Sequence, residues 1–308
     1  MQGVKLQQLR FFLAVYEERS ITAAARRLNA TQSGVSVQIR DLEDMLGLTL
    51  FQRVSAGVVP TKSGDLIFHR ATKILREVSR LQEDVTAQSD ALSGEVRAGI
   101  MPTFARSILA PVLSRFMAAH PYVDVKVTEA YSGTLSDSLS AGELDFAIVP
   151  SGSVPAGLRA TYLDSDLELL ASAAPIQGAD GGVDLSTIPP LRLALPGRKN
   201  SRRAKIEEHL RSFSRSDHTI LELDSMMTTL DIVRRGDWSA ILPGCLCLPD
   251  LDDPKLHFYP IVEPKMTVEY LLIEPAATEG SPAVQLFAQE LGKEIRSSCA
   301  RCRAFFGV

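Results

Sequence analysis

The sequence predicts a multidomain chain: a small all-α N-terminal unit closed by a hairpin, one long connecting helix, and an α/β unit filling the C-terminal two-thirds. Three observations predict it. Apolar residues recur at helical spacing through the first 46 residues. A seam alternating steps of four and three runs from Ile67 to Leu92. From residue 94 onward, β-prone runs alternate with amphipathic segments. The 308 residues exceed a typical single domain, and 45% hydrophobic with 23% charged residues is ordinary globular composition with material for a core.

Leu6, Leu9, Phe12, Leu13 and Tyr16 place a first helix from about Leu6 to Arg19. Ser20 or Thr22 can cap a second, which holds Ala23, Ala24, Ala25 and Leu28 and lets another helix approach closely. Asn29 suits the left-handed conformation of a tight turn. A third helix opens at Thr31–Gln32, with Val35, Ile39, Leu42 and Met45 or Leu46 as its apolar stripe. Its opposite face carries Ser33, Ser36, Val37 and Arg40, with Gln32 at the N-terminus. Short side chains let a helix axis enter a DNA major groove, Gln and Ser reach base edges, and Arg and the helix amides meet phosphate. A solvated face of a three-helix bundle has the same composition. Charge separates the two readings. Residues 1–64 hold eight Lys and Arg against five acids, net +3, while the whole chain is −4.

Two β-prone runs flank "SAG" in "LTLFQRVSAGVVPTKSG", a small hairpin or wing. Arg53 on it can reach a minor groove or phosphate, or stand in solvent. After Pro60, Thr61 or Ser63 can start a long helix whose seam is Ile67, Ala71, Ile74, Val78, Leu81, Val85 and Leu92, with Gln88 in one slot. Such a narrow stripe needs a partner: the same helix of a second subunit, or the protein's own body. Dimerisation suits a pair of recognition helices reading two half-sites. "SDALSGE", from Ser89 to Glu95, reads as a hinge.

The ordered set Ala24-Ala25, Leu28, Thr31-Gln32, Ser36, Ile39, Leu42-Glu43, Leu46-Gly47, Leu50-Phe51, Arg53 and Thr61 resembles the LysR-type transcriptional regulators, and the likeness extends over essentially the whole chain. It implies a winged helix-turn-helix DNA-binding domain at 1–60, a linker and dimerisation helix at 61–92, and an effector-binding domain at 93–308. The last has a periplasmic-binding-protein-like fold of two subdomains, 93–166 with 267–308 and 167–266. The resemblance carries double-stranded DNA contacts, on an interrupted palindrome, to Gln32, Ser33, Ser36 and Arg53. Thr31, Val37 and Arg40 complete the candidate set from the helix itself. Val37 stands where many members carry a basic or polar residue, so its role is a thymine-methyl contact or none. A homotetramer formed through the effector domains is also implied.

In the C-terminal part, "EVRAGIM", "VDVKVTEA" and "LDFAIVP" are strand candidates separated by helical segments Phe104–Ala119 and Leu135–Ala141, the order of βαβ units around a mostly parallel sheet. "LELLASA", "LRLALP", "TILELD", "WSAILP" and "TVEYLLIEP" follow, then a last helix from about Pro282 to Ser298. The chain would pass into the second subdomain near Asp166 and return near Met266. Ligands of such folds sit where strands end and helices begin. The candidates there are Pro102, Thr103, Ser132, Asn200, Ser201, Ser225 and Met226. Thr103 and Ser132 suit a carboxylate or similar anion, although hydroxyl residues at helix starts also act as plain caps. Asp224 would favour an amine or hydroxyl instead. Arg198, Arg202 and Arg203 read as a solvated patch that could reinforce an anion site.

"CLC" (Cys245, Cys247), at a strand-like edge, and "CARC" (Cys299, Cys302), in the final turns, leave open a redox- or metal-responsive regulator, but reduced structural cysteines suit these spacings better. The five His are scattered, and no Gly-rich phosphate loop, nucleophile elbow or His-Glu metal pair is present. The sequence therefore points to no catalytic residues, no metal and no cofactor. A ligand-transforming enzyme with an appended DNA-binding module is the rival class, and it would turn its ligand over. No run approaches the roughly 18 apolar residues of a membrane span, and the amphipathic N-terminus is no signal peptide. A cytoplasmic protein without a membrane partner is the expectation.

Overall fold

The computed structural model describes residues 3–55, 57–86, 92–176, 178–179, 181–198, 200–212, 218–263 and 265–308. They form two compact units, Met1–Asp90 with the short stretch Ala141–Glu143, and the remainder from Ala91.

The first unit contains α1 (Leu6–Glu18), α2 (Ile21–Arg27), α3 (Gln32–Leu46), the hairpin strands β1 (Phe51–Val54) and β2 (Gly57–Pro60), and α4 (Lys62–Thr86). Its boundaries have local causes. Ser20 accepts the Ala23 amide at 3.3 Å and starts α2; Asn29, at φ 50°, makes the turn into α3. Thr31 accepts the Gly34 amide at 3.1 Å and caps α3. Gly57, at φ 136°, brings the wing against α1, where a Cβ would lie 2.4 Å from the Arg19 carbonyl oxygen. Leu9, Phe12, Val15, Ala24, Ala25, Val35, Ile39, Leu42, Leu50 and Ala71 share one core. α4 is fixed to α1 by Tyr16, whose ring stacks on Phe68 at 4.0 Å and whose hydroxyl donates to Asp65 at 2.8 Å.

The apolar side chains of α4 divide between two sides. Ile67, Ala71 and Leu75 pack into the unit's own core, while Leu66, Ile74 and Leu81 stand exposed. Leu92 is off the helix and packs into the core of the second unit. The side chain of Val85, Gln88 and the 89–91 part of the expected hinge lie outside the described residues, and Ser93–Glu95 belong to a strand rather than a hinge.

The second unit runs β3 (Ser93–Ile100), α5 (Ala110–Ala119), β4 (Tyr122–Glu129), α6 (Ser132–Ala141), β5 (Phe146–Pro150), β6 (Leu158–Ser172), β7 (Val183–Asp184), β8 (Arg192–Leu195), α7 (Ser201–Ser212), β9 (Thr219–Glu222), α8 (Met226–Arg234), β10 (Ser239–Pro243), α9 (Gly244–Cys247), β11 (His257–Glu263), β12 (Thr267–Pro275) and α10 (Pro282–Phe306). The strands follow the order β4-β3-β5-β12-β6-β10-β8-β9, with β11 on β6 and β7 on β11. Parallel triplets β4-β3-β5 and β10-β8-β9 form the two wings. They are joined by antiparallel pairs through β12 and β6, so the sheet is mixed rather than mostly parallel. β6 pairs with β12 as far as Leu167 and with β10 from Glu168 onward. Separate cores lie on either side of this crossing, around Phe104, Phe116, Phe146 and Phe287 on one and Leu169, Leu230, Val233 and Leu246 on the other.

Asp166 stands at the crossing with no exposure. Its carboxylate accepts the amides of Cys245 at 2.7 Å and Leu167 at 2.9 Å and the Tyr270 hydroxyl at 3.3 Å. These bonds tie β6, α9 and β12 together. Burial, opposed by the Cys245 contacts and reinforced by Glu168, raises its pKa from 3.8 to about 6. The four cysteines gather nearby, all free and buried. Cys245 and Cys247 lie on α9 rather than a strand edge, and Cys299 and Cys302 face the cores from α10, which continues past Ser298 to Phe306. Burial raises all four thiol pKa values, that of Cys302 to about 12, and keeps them protonated and poorly nucleophilic.

Candidate functional site

In the first unit the α3 surface divides cleanly. Val35 and Leu42 have no exposure and Ile39 6%, whereas Val37 on the other side is 47% exposed. Thr31, Gln32, Ser33 and Arg40 are exposed with it, and Ser36 is half-buried beside them. Thr31 spends its hydroxyl on the helix cap, so its part is to start the helix and aim Gln32 and Ser33 outward. Arg53, on β1 opposite Val58, is exposed on the wing. Between α1 and α2, Arg27 donates to Glu17 at 2.5 Å. The resulting surface is short-chained, polar and cationic with one apolar contact.

In the second unit the predicted positions fall at strand ends and helix starts. Thr103 follows β3 in a 3-10 turn and is 4% exposed, with Pro102 half-buried beside it. Ser132 is the first residue of α6 and half-buried. Asn200 is buried, its side-chain oxygen accepting the Arg202 amide at 3.0 Å. Ser201 opens α7; its side chain lies outside the described residues. Ser225 caps α8, accepting the Thr228 amide at 3.3 Å. Met226 packs with Leu230 and Val233 in a core. Asn200 and Ser225 are thus engaged as caps, and Met226 is a core side chain. Asp224 accepts the Gly197 amide at 2.7 Å and holds that loop.

The arginines require correction. Arg198 is exposed, but Arg202 and Arg203 are 4% and 5% exposed, so the patch is not solvated. Arg203 donates to the Pro196 carbonyl at 2.6 Å and to Glu207 at 2.7 Å. Arg202 forms a buried two-pronged pair with Glu168, Nε to Oε1 at 2.8 Å and Nη2 to Oε2 at 2.5 Å, and Nη2 also donates to the Ile241 carbonyl at 3.2 Å. Burial works against its charge, and Glu168 more than offsets this, holding the guanidinium pKa above its usual value. Two sequence signals marked the pair: an acid inside the apolar run "LELLASA", and three cations crowded at the start of α7. A cleft of about 300 Å³ opens beside it, between the end of β5, the start of β12 and α7. On another side of the same unit, Arg106, in the turn after Thr103, pairs with Asp250 at 2.6 and 3.1 Å. Among the described residues no group of three or more His, Cys, Asp or Glu is arranged to hold a metal ion, and no helix is long and apolar enough to cross a membrane.

A helix-turn-helix with a wing, followed by a two-winged α/β unit with a cleft, defines a one-chain regulator of the binding-protein-like class. Comparison agrees. Residues 6–65 match the family described as bacterial regulatory helix-turn-helix protein, lysR family, and residues 89–296 match the LysR substrate binding domain. The chain belongs to the LysR family: it is a LysR-type transcriptional regulator with an effector-binding domain. It is 28% identical over 297 residues to the nitrogen assimilation regulatory protein nac of Escherichia coli, covering 96% of each chain. It is 30% identical over 243 residues to the nac protein of Klebsiella aerogenes, covering 78% of each. Among solved structures, a full-length OxyR variant from Pseudomonas aeruginosa superposes with a TM-score of 0.76 at 22% identity, covering 96% of each chain. Full-length CbnR complexed with its target DNA gives 0.65 at 21% identity, covering 96% of this chain and 99% of that one.

Proposed function

We propose that this regulator reads an interrupted palindrome through the outward face of α3 and is controlled by a small organic anion bound in the second unit. The observation that carries the reading is the division of α3. Buried Val35, Ile39 and Leu42 fix the helix, and Gln32, Ser33, Val37 and Arg40 are left outward with Ser36 at their edge. Gln32 and Ser33 reach base edges, Val37 meets a thymine methyl, and Arg40 and the wing residue Arg53 hold phosphate. Two such helices come together because α4 presents Leu66, Ile74 and Leu81 to a second copy. A tetramer built through the effector domains completes the assembly.

The effector unit divides into 93–166 with 267–308 and 167–266. Thr103 and Ser132 contribute hydroxyls and helix-start amides to an anionic effector, and the helix starts at Asn200 and Ser225 supply backbone amides from the other half. Binding shifts the two halves between arrangements that favour different DNA-bound states. Protonated, buried thiols speak against a cysteine-based sensor. The test is a footprint on the DNA upstream of the protein's own gene, with and without small carboxylates. A protected interrupted palindrome whose extent changes with one carboxylate supports the reading; protection that no carboxylate alters removes the anion from it.

A further inference from the structure

The wing is a hairpin of two four-residue strands, Phe51–Val54 and Gly57–Pro60, and a two-stranded ribbon of that length does not hold a position by itself. Its placement comes from a grip on one residue, Leu50. A single carboxylate oxygen, Glu43 Oε1 on α3, accepts the Leu50 amide at 2.6 Å and the Phe51 amide at 3.2 Å, across the loop 47–49. From the other side, the Thr61 amide donates to the Leu50 carbonyl at 3.0 Å. The Thr61 hydroxyl donates to the Thr49 carbonyl at 2.7 Å and accepts the Gly64 amide at 3.0 Å. Gly64 lets the first turn of α4 sit directly on the gripped residue, since a Cβ there would lie 2.4 Å from the Leu50 carbonyl oxygen. Leu50 has no exposure, so it cannot shift without opening the core. The returning strand is fixed separately, by the Val58 amide on the Arg19 carbonyl at 3.0 Å.

Glu43 stands in the last turn of α3, where a carboxylate meets the negative end of the helix dipole. Helix stability therefore does not account for it. The two amides do, because an ionised acceptor holds N–H groups more strongly than a neutral one. Arg53 lies two residues beyond Phe51 on the same strand, about 7 Å along it, exposed and opposite Val58.

We infer that Glu43 is a positioning residue for DNA binding: from α3 it sets where the wing begins, and with Thr61 it holds Arg53 at the distance from the α3 face that lets both meet one duplex. This role rests on reading Arg53 as a phosphate contact. It carries a sign that separates position from charge. Removing an acid beside a DNA surface strengthens binding through electrostatics alone. A loss of binding on changing Glu43 therefore reports displacement of the wing.

Glu43→Gln keeps the reach and an acceptor oxygen but gives up the charge, whereas Glu43→Asp keeps the charge and is one methylene too short. Fluorescence anisotropy of the full-length protein on a duplex from upstream of its own gene, at several salt concentrations, compares both with the wild type, Arg53→Ala and Glu43→Asp/Arg53→Ala. Glu43→Gln is expected to keep the wild-type slope of log affinity against log salt. Glu43→Asp should bind about tenfold more weakly, with its slope flattened as far as that of Arg53→Ala, and the double variant should lose nothing further. A merely structural carboxylate would lower the thermal midpoint and leave the slope alone. Thr61→Val, which loosens the grip from the α4 side, should flatten the slope as well, and it decides the matter if Glu43→Asp does not fold. A wild-type slope in the deciding variant, additive losses in the double variant, or binding by Glu43→Gln no better than by Glu43→Asp overturns the role. An unaltered slope in Arg53→Ala removes the wing contact, and the positioning role with it, while the reading of the α3 face stands.

Discussion

Arg40 and Arg53 have distinct tasks from the residues around them, because neither belongs to the core and both stand exposed beside the short side chains of α3 and the wing. As phosphate contacts they should add affinity without sequence preference. Arg40→Ala and Arg53→Ala are each expected to lower the slope of log affinity against log salt by about one, with the thermal midpoint unchanged. Titration by fluorescence anisotropy at several salt concentrations measures this, and an unaltered slope removes the residue from the interface. Asp166 makes a different prediction, on stability. Its folded pKa of about 6 lies above the ordinary 3.8, so the folded state binds the proton more tightly than the unfolded chain does. The contribution is fully present below the unfolded pKa and is lost as pH rises through the folded one. The displacement corresponds to about 3 kcal/mol at most. The stability of the wild type relative to Asp166→Asn should therefore fall by most of that amount from pH 4 to pH 7 in urea unfolding. Cys245, Tyr270, Glu168 and the other three thiols surround this carboxyl, and the thiols stay protonated over the range. A difference independent of pH contradicts the assignment.

Among the elements, α4 has one apolar side packed in the core and another left exposed. Ala71 and Leu75 bind it to α1, and Leu66, Ile74 and Leu81, at 57, 47 and 65% exposure, run along another side at steps of eight and seven. Ile74→Glu/Leu81→Glu should shift the sedimentation mass to that of a smaller assembly and leave the first unit folded; an unchanged mass assigns the assembly to other surfaces. The helices of the first unit were readable because period and caps agreed: Ser20, Asn29 and Thr31 each do in the structure what their chemistry suggested. The strands β5, β8 and β10 were readable from their short, nearly unbroken apolar runs. β11 was not, since Pro260 interrupts it. The first half of β6 was not either, because Leu158–Tyr162 are mostly exposed and polar and carry no alternation. α10 outruns its expected end because Cys299 and Cys302 are buried in the cores, where the sequence suggested only final turns.

For the whole molecule, the candidate DNA surface was readable and the cleft was not. Helix α3 is local, so one period reveals both its faces. Arg202 and Glu168 are 34 residues apart, and only the crossing of β6 beside α7 turns an apparent surface cation into a buried one. Thr103, Ser132 and Ser225 were visible because hydroxyl residues mark helix starts, but that signal does not separate a cap from a ligand contact. Whether the α3 face reads DNA is decided by a footprint of the full-length protein on its own upstream DNA, comparing the wild type with Ser33→Ala/Arg40→Ala across salt concentrations. The wild type should protect an interrupted palindrome, with protection that weakens steeply with salt, and the variant should lose it at unchanged thermal stability. Protection that is identical in the two proteins would contradict that reading.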